Sequence, residues 1–284
     1  MSKSVLLKSS LAKKYWMAVT GLFLCLFLVG HLLGNLQLFA GGEEGKRAFN
    51  EYAYFMAHNP LIKVASYLTY ISILFHAIDG LLLAVQNAKA RPVKYASNNA
   101  AANSSWASRK MALLGSIILI FICTHMVNFW AKIKIQHDAP LHIKYDVAFP
   151  DGSTHDWYLM TNGSYVPVEQ TVIKNHTEIY DKQVDVKVGV GYKNLYDIVL
   201  GFFGHDKTRE GVPLNPYALW AVIGYVISMA VLAFHLMHGF SSAFQSLGLR
   251  HPKYTSFIKI FGKAFAILVP LAFATIPVYI YLTK

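Results

Sequence analysis

Five histidines sit inside long apolar stretches of this 284-residue chain: His31, His76, His125, His235 and His238. A polar ring at membrane depth is costly unless something holds it, so each of them asks for a partner. Neutral imidazole is an axial ligand of haem iron, and two imidazoles from facing helices give a six-coordinate electron-transfer haem. A single histidine in one apolar helix is ordinarily a hydrogen-bonded structural residue. Four apolar segments that each supply one form the pattern of a ligand set.

The elements that must carry them follow from composition. The chain is 55% hydrophobic and 14% charged, against roughly 25% charged residues in soluble domains. A chain with so little polar surface needs lipid as solvent. Its +11 formal charge does not mark a nucleic-acid partner, because the cations lie in short clusters beside the apolar runs. Crossing a bilayer core takes roughly 20 apolar residues in a helix, which satisfies its own backbone. Five segments qualify: Trp16 to Leu38, Leu61 to Val85, Met111 to Ala131, Tyr217 to Phe240, and Phe257 to Leu282. Pro270 and Pro277 predict a kink in the fifth. The first is too long for a cleaved signal peptide and lacks a small-residue cleavage site. Cys25 and Cys123 fall in apolar runs without zinc spacing, so both read as small buried hydrophobes.

Basic clusters set the expected orientation. Lys3, Lys8, Lys13 and Lys14 precede the first span; Lys89, Arg91, Lys94, Arg109 and Lys110 separate the second and third; Arg250 and Lys253 separate the fourth and fifth. No acid lies among them. The positive-inside rule then places the N-terminus in the cytoplasm and the C-terminus outside.

Depth suggests the pairing. His31 lies 17 residues beyond Lys14 and His125 lies 15 beyond Lys110, whereas His76 lies 13 before Lys89 and His238 lies 12 before Arg250. At ~1.5 Å per residue that is roughly 23–26 Å for the first two and roughly 18–20 Å for the others. The expectation is an outer pair, His31 with His125, and an inner pair, His76 with His238, His235 being the rival one turn away. Gly30, Gly34, Gly80 and Gly239 sit where a flat macrocycle could approach, although Gly30 to Gly34 is also a helix-packing spacing.

The connection 132–216 reads as an outside subdomain. His142, Lys144 and Asp146 alternate with Ile143, Tyr145 and Val147 before the turn signal Asp151-Gly152, and Val184 to Val190 repeat the strand pattern. Leu195, Ile198, Val199 and Phe202 predict a short amphipathic helix lying on the membrane surface. The expected fold is an all-α membrane protein of five transmembrane helices, four forming a haem-binding bundle, with a β-containing extracytoplasmic insertion. Residues 1–131 carry helices one to three, 132–216 the insertion, and 217–284 helices four and five.

With these motifs (His31 in GHLLGN, His76 in FHAIDGL, His125 in THMVNFW, His238 in LMHGF) the chain resembles the five-helix, di-haem cytochrome b anchor of succinate:quinone oxidoreductases and fumarate reductases. The likeness covers all five spans. It implies two b haems, the inner held by helices two and four and the outer by one and three. It implies quinone as substrate, with menaquinone the expected species, in the bacterial cytoplasmic membrane. It also implies cytoplasmic partners: a flavoprotein carrying FAD and a subunit carrying iron-sulfur clusters. The long third connection departs from the family, as does Leu236, where some fumarate reductases carry a glutamate two residues before the helix-four histidine. Quinone chemistry needs a proton-exchanging group beside a haem; Glu51, Tyr52, His58 and Asp79 are the candidates, each also readable as ordinary interfacial or bundle polarity. Two alternatives stay open: the b-type cytochrome subunit of a hydrogenase or formate dehydrogenase, and a proton-coupled transporter whose histidines relay protons.

Overall fold

The computed structural model describes residues 9–90, 99, 102, 104–137, 139–205 and 212–284; Lys3, Lys8, Arg91 and Lys94 of the basic clusters lie outside them. Five helices are long and apolar enough to cross a membrane. Helix α1 is Ser10–Asn35, continued by a 3₁₀ turn Leu36–Phe39. Helix α2, Gly42–His58, precedes α3, Pro60–Lys89. A single turn α4, Trp106–Arg109, leads into α5, Met111–His125, which continues as a π-helix, Met126–Gln136. Short helix α6 is Leu195–Phe203; α7 is Ala218–Ser246 and α8 is Pro252–Thr283. Helix α8 is unbroken through Pro270 and Pro277.

Local chemistry explains the boundaries. The Asn59 side chain accepts from the Leu61 and Ile62 amides at 2.9 and 3.3 Å, and Pro60 follows it at the first helical position. An asparagine N-cap with proline after it is a strong start signal. Helix α2 carries Glu43 and Glu44 in its first turn and His58 in its last, which matches the helix dipole at both ends. The polar stretch between the first two spans is thus an amphipathic helix.

The chain divides into two compact units: Met1–Leu32, Val64–Cys123 and Gly224–Thr275 form one, and Leu33–Lys63, Thr124–Ile223 and Ile276–Lys284 the other. In the first, Cys25, Leu236, Phe240 and Ala266 make a buried core with Leu22, Leu232 and Phe265 packed against it. Cys123 is exposed on α5 rather than buried.

The second unit holds the insertion. Two antiparallel sheets form, β1-β2-β3 (Ile143–Ala148, Thr154–Leu159, Tyr165–Pro167) and β4-β5-β6 (Thr171–Lys174, Glu178–Asp181, Lys187–Val190). The β1–β2 turn is the one signalled by Asp151-Gly152: Gly152 has φ +81°, and the Asp151 carboxylate accepts from the Ser153 amide at 2.9 Å. Leu141, Met160 and Ile179 form the core. Gly191 is required there, since a Cβ on it would lie 2.7 Å from Leu141. Only Lys187–Val190 of the valine-rich stretch pairs as a strand; Val184 and Val186 are exposed before it.

Helix α6 buries Tyr196, Ile198, Leu200 and Phe203, and its Tyr196 hydroxyl donates to the Ala40 carbonyl at 3.0 Å. Of the residues read as its apolar face, Ile198 is buried and Leu195, Val199 and Phe202 are half-buried. His142, read as part of the strand pattern, is fully buried. It precedes β1, where its amide bonds to the Tyr192 carbonyl at 2.8 Å, and its ring enters a polar cluster.

That cluster fixes the insertion to α2. Asn50 Oδ1 accepts from the Leu195 and Tyr196 amides at 2.9 and 3.0 Å, which settles its amide orientation. Its Nδ2 therefore donates to Asn194 Oδ1 at 3.1 Å and to His142 Nδ1 at 3.2 Å. His142 then carries its proton on Nε2 and donates to Glu43 Oε1 at 2.6 Å. Buried Lys46 donates to the Ile143 carbonyl at 3.1 Å and pairs with Asp197 at 3.4 Å. Burial alone would raise the Glu43 carboxyl; the His142 hydrogen bond and the Lys46 and Lys144 charges outweigh it and hold the group below its ordinary value. Asn50→Ala leaves at least two buried groups without partners, at ~1–3 kcal/mol each. We expect a loss of roughly 2–4 kcal/mol, read as a lower melting temperature and faster proteolysis within 139–205. Glu51→Ala breaks only an exposed i,i+4 pair and should change stability by less than ~0.5 kcal/mol. Equal effects from both would mean the cluster does not anchor the insertion.

Candidate functional site

The first unit brings two of the span histidines together, edge to face. The rings of His76, on α3, and His235, on α7, have centroids 6.1 Å apart at an interplanar angle of 68°. His76 is positioned by α1: its Nδ1 lies 3.2 Å from the Met17 carbonyl and 3.3 Å from Thr20 Oγ1. A carbonyl only accepts, and Thr20 already donates to the Trp16 carbonyl at 2.8 Å. The proton therefore sits on His76 Nδ1, and the Nε2 lone pair is left for a ligand. Histidines that bind metals characteristically donate their other ring nitrogen in this way.

His235 Nδ1 is buried without a hydrogen-bond partner among the described residues; Trp157 Nε1 is the other such side-chain atom. Buried polar groups are nearly always satisfied; this one lies on the ring edge nearest Gly115 of α5, so His235 lacks the orienting hydrogen bond that His76 has. Glycine lets both rings in. A Cβ on Gly21 of α1 would meet His76 Cε1 at 3.0 Å, and one on Gly115 of α5 would meet His235 Cε1 at 3.5 Å. The glycines singled out from sequence do other work: Gly34 receives the Tyr52 ring, Gly80 faces Met17, Gly239 faces Met111, and Gly30 has open space.

His238 lies one turn from His235 and lines a separate cavity with Ser241, Ser242 and Arg250. His31 stacks on Phe27 (5.3 Å, 13°) and lies 5.6 Å from Phe273. His125, in the second unit, is the last α-helical residue before the π-helix and packs 5.3 Å from Phe129, which touches Phe202 and Phe203. A π segment of 11 residues is rare, and π geometry recurs at functional sites.

The quinone and proton candidates each have their own surroundings. Glu51 pairs with Arg47 at 2.7 Å. Tyr52 fills the space over Gly34. His58 stacks on Tyr54 at 3.9 Å and bonds its carbonyl at 2.7 Å. Asp79, one turn from His76, is half-buried and forms no ion pair or hydrogen bond with a described residue.

The axial spacing can be checked against chemistry. Two imidazoles on opposite sides of one metal, at bonds of ~2.0–2.1 Å, place their ring centroids roughly 6 Å apart. The His76–His235 centroid separation of 6.1 Å matches that spacing. Among the described residues no cluster of three or more His, Cys, Asp or Glu side chains forms, so a metal held by protein ligands alone has no comparable site. Helix content and span number define a multi-pass helical membrane protein with two small extramembrane sheets. No protein-family model, curated protein or solved structure matches the chain.

Proposed function

We propose that this chain is the membrane anchor and cytochrome b subunit of a succinate dehydrogenase or fumarate reductase, passing electrons between an iron-sulfur subunit and membrane quinone. The observation that carries the reading is the His76–His235 pair, 6.1 Å apart with His76 held in the ligand tautomer. Haem b bound there would supply reversible one-electron transfer. The chain's own residues do the rest: Met17 and Thr20 orient His76, and Gly21 and Gly115 give the two imidazoles room. His235 takes the inner role in place of His238. His31 and His125 hold the outer haem, by the resemblance stated above. Neither Ala233 nor Leu236, two residues before the two helix-four histidines, is acidic, so a proton path through that position is not part of the reading.

The proposed setting is a bacterial cytoplasmic membrane, with the N-terminus and the FAD and iron-sulfur partner subunits on the cytoplasmic side and the C-terminus in the periplasm. The short basic connections suit such a partner face. One observation favours a second reading: the folded insertion, with exposed Val172, Val184, Val186 and Val188, offers an outer surface of the kind a hydrogenase or formate dehydrogenase partner would use. Co-purification separates the two.

The purified chain should show reduced b-type absorbance bands after dithionite, and a pyridine haemochrome assay should give close to two haems per chain. A ratio near one removes one pair; no haem at all leaves the histidines to proton relay and a transporter.

A further inference from the structure

A cavity opens between the C-terminal end of α7 and the first turns of α8, and the His76–His235 pair does not line it. His238, Ser241, Ser242, Gln245, Arg250 and Lys259 give it polar walls. At ~100° per residue its α7 side is centred roughly a quarter turn from the direction of His235, so it is not an extension of the candidate haem cleft. No acid lines it. Arg250 and Lys259 form no ion pair or hydrogen bond with any described residue. Two cations sharing one recess, beside hydroxyls free to donate, call for anionic oxygen.

The rest of the wall says what carries that oxygen. Met237, Leu249 and Ile258 are apolar, and next to them on α8 Phe257, Ile260 and Phe261 stand 67%, 69% and 48% exposed. On a membrane-spanning helix such side chains face lipid tails. Inorganic phosphate would answer the cations and leave that apolar lip bare; a lipid answers both. We infer that this cavity binds the phosphodiester of an anionic phospholipid, with Arg250 and Lys259 on the phosphate, Ser241 and Ser242 donating to it, and an acyl chain along Met237 and Ile258. Basic recesses between transmembrane helices recognise headgroups by this chemistry. The inference is independent of the haem reading.

Native mass spectrometry of the detergent-solubilised full chain tests it, with phosphatidylglycerol, phosphatidylcholine and inorganic phosphate as three arms. Each cation near an anionic headgroup is worth roughly fivefold in affinity, and two roughly thirtyfold. Phosphatidylglycerol should be retained about thirtyfold over phosphatidylcholine, and equimolar phosphate should not displace it. Arg250→Gln with Lys259→Gln should bring the two lipids level. Lys253→Gln, a neighbouring cation outside the cavity, should change retention less than about twofold. Lys259→Gln alone, expected to lose roughly fivefold, serves if the double variant is not monodisperse. Equal retention of both lipids by the unaltered chain overturns the inference. So do unchanged retention in Lys259→Gln, a loss in Lys253→Gln matching the double variant, or displacement by free phosphate.

Discussion

On the proposed assignment, His235→Ala should abolish the inner haem, whereas His238→Ala should leave two haems bound. The expected readings are a pyridine haemochrome ratio falling from two to one in the first variant and staying at two in the second. His76→Ala should remove the same spectral component as His235→Ala. The ground is position: the His235 ring lies 6.1 Å from the His76 ring, while His238 lines the cavity it shares with Arg250. If His76 and His235 together hold the haem, removing either should cost the haem itself rather than shift its band. If His238→Ala empties the inner position and His235→Ala does not, the ligand role returns to His238.

Counting residues from charged anchors pointed to His238 for a reason visible in the helix ends. Lys89 is the last residue of α3, but Arg250 lies four residues beyond the end of α7 at Ser246. Measured from those ends, His76 is 13 residues deep, His235 is 11 and His238 is 8. A turn that leaves the helix adds residues without adding depth. Counted from the helix ends rather than from the charges, the ranking of the two helix-four histidines reverses.

The five spans were legible because a long apolar helix is the single segment that satisfies all its own backbone groups in lipid. Helix α2 was not, because Glu43, Glu44, Lys46 and Arg47 mask its buried Phe49. The β1–β2 hairpin followed from Asp151-Gly152, where turn chemistry is local. His142 was misplaced because alternation reports which way a strand residue points only within the strand, and it lies just before Ile143. Its surroundings come from Asn50 and Asn194, 92 positions before it in the one case and 52 after it in the other, a juxtaposition that no periodicity encodes. The π-helix after His125 carries no sequence signal that we recognise. Gly21 and Gly115 were legible in principle: each lies ten residues before a span histidine, at a depth where a neighbouring helix must come close.

Gly21→Val should remove the inner haem as completely as His76→Ala does. The Cβ alone would stand 3.0 Å from His76 Cε1, tighter than ordinary contact, and a valine adds two methyls on a side chain with little rotamer freedom. His76 cannot simply swing away, because its Nδ1 is tied to Met17 and Thr20 on the same helix that carries Gly21. Either the ring leaves those partners or α1 moves off α3, and both destroy the alignment with His235. Gly21→Ala asks the ring to yield only a few tenths of an ångström, so the haem should stay with a shifted band. Gly224→Val, which meets open space on α7, should leave both haems and their spectra unchanged. Two haems with unaltered spectra in Gly21→Val would show that α1 does not set the position of His76, and the inner pair would then have to be held by α3 and α7 alone.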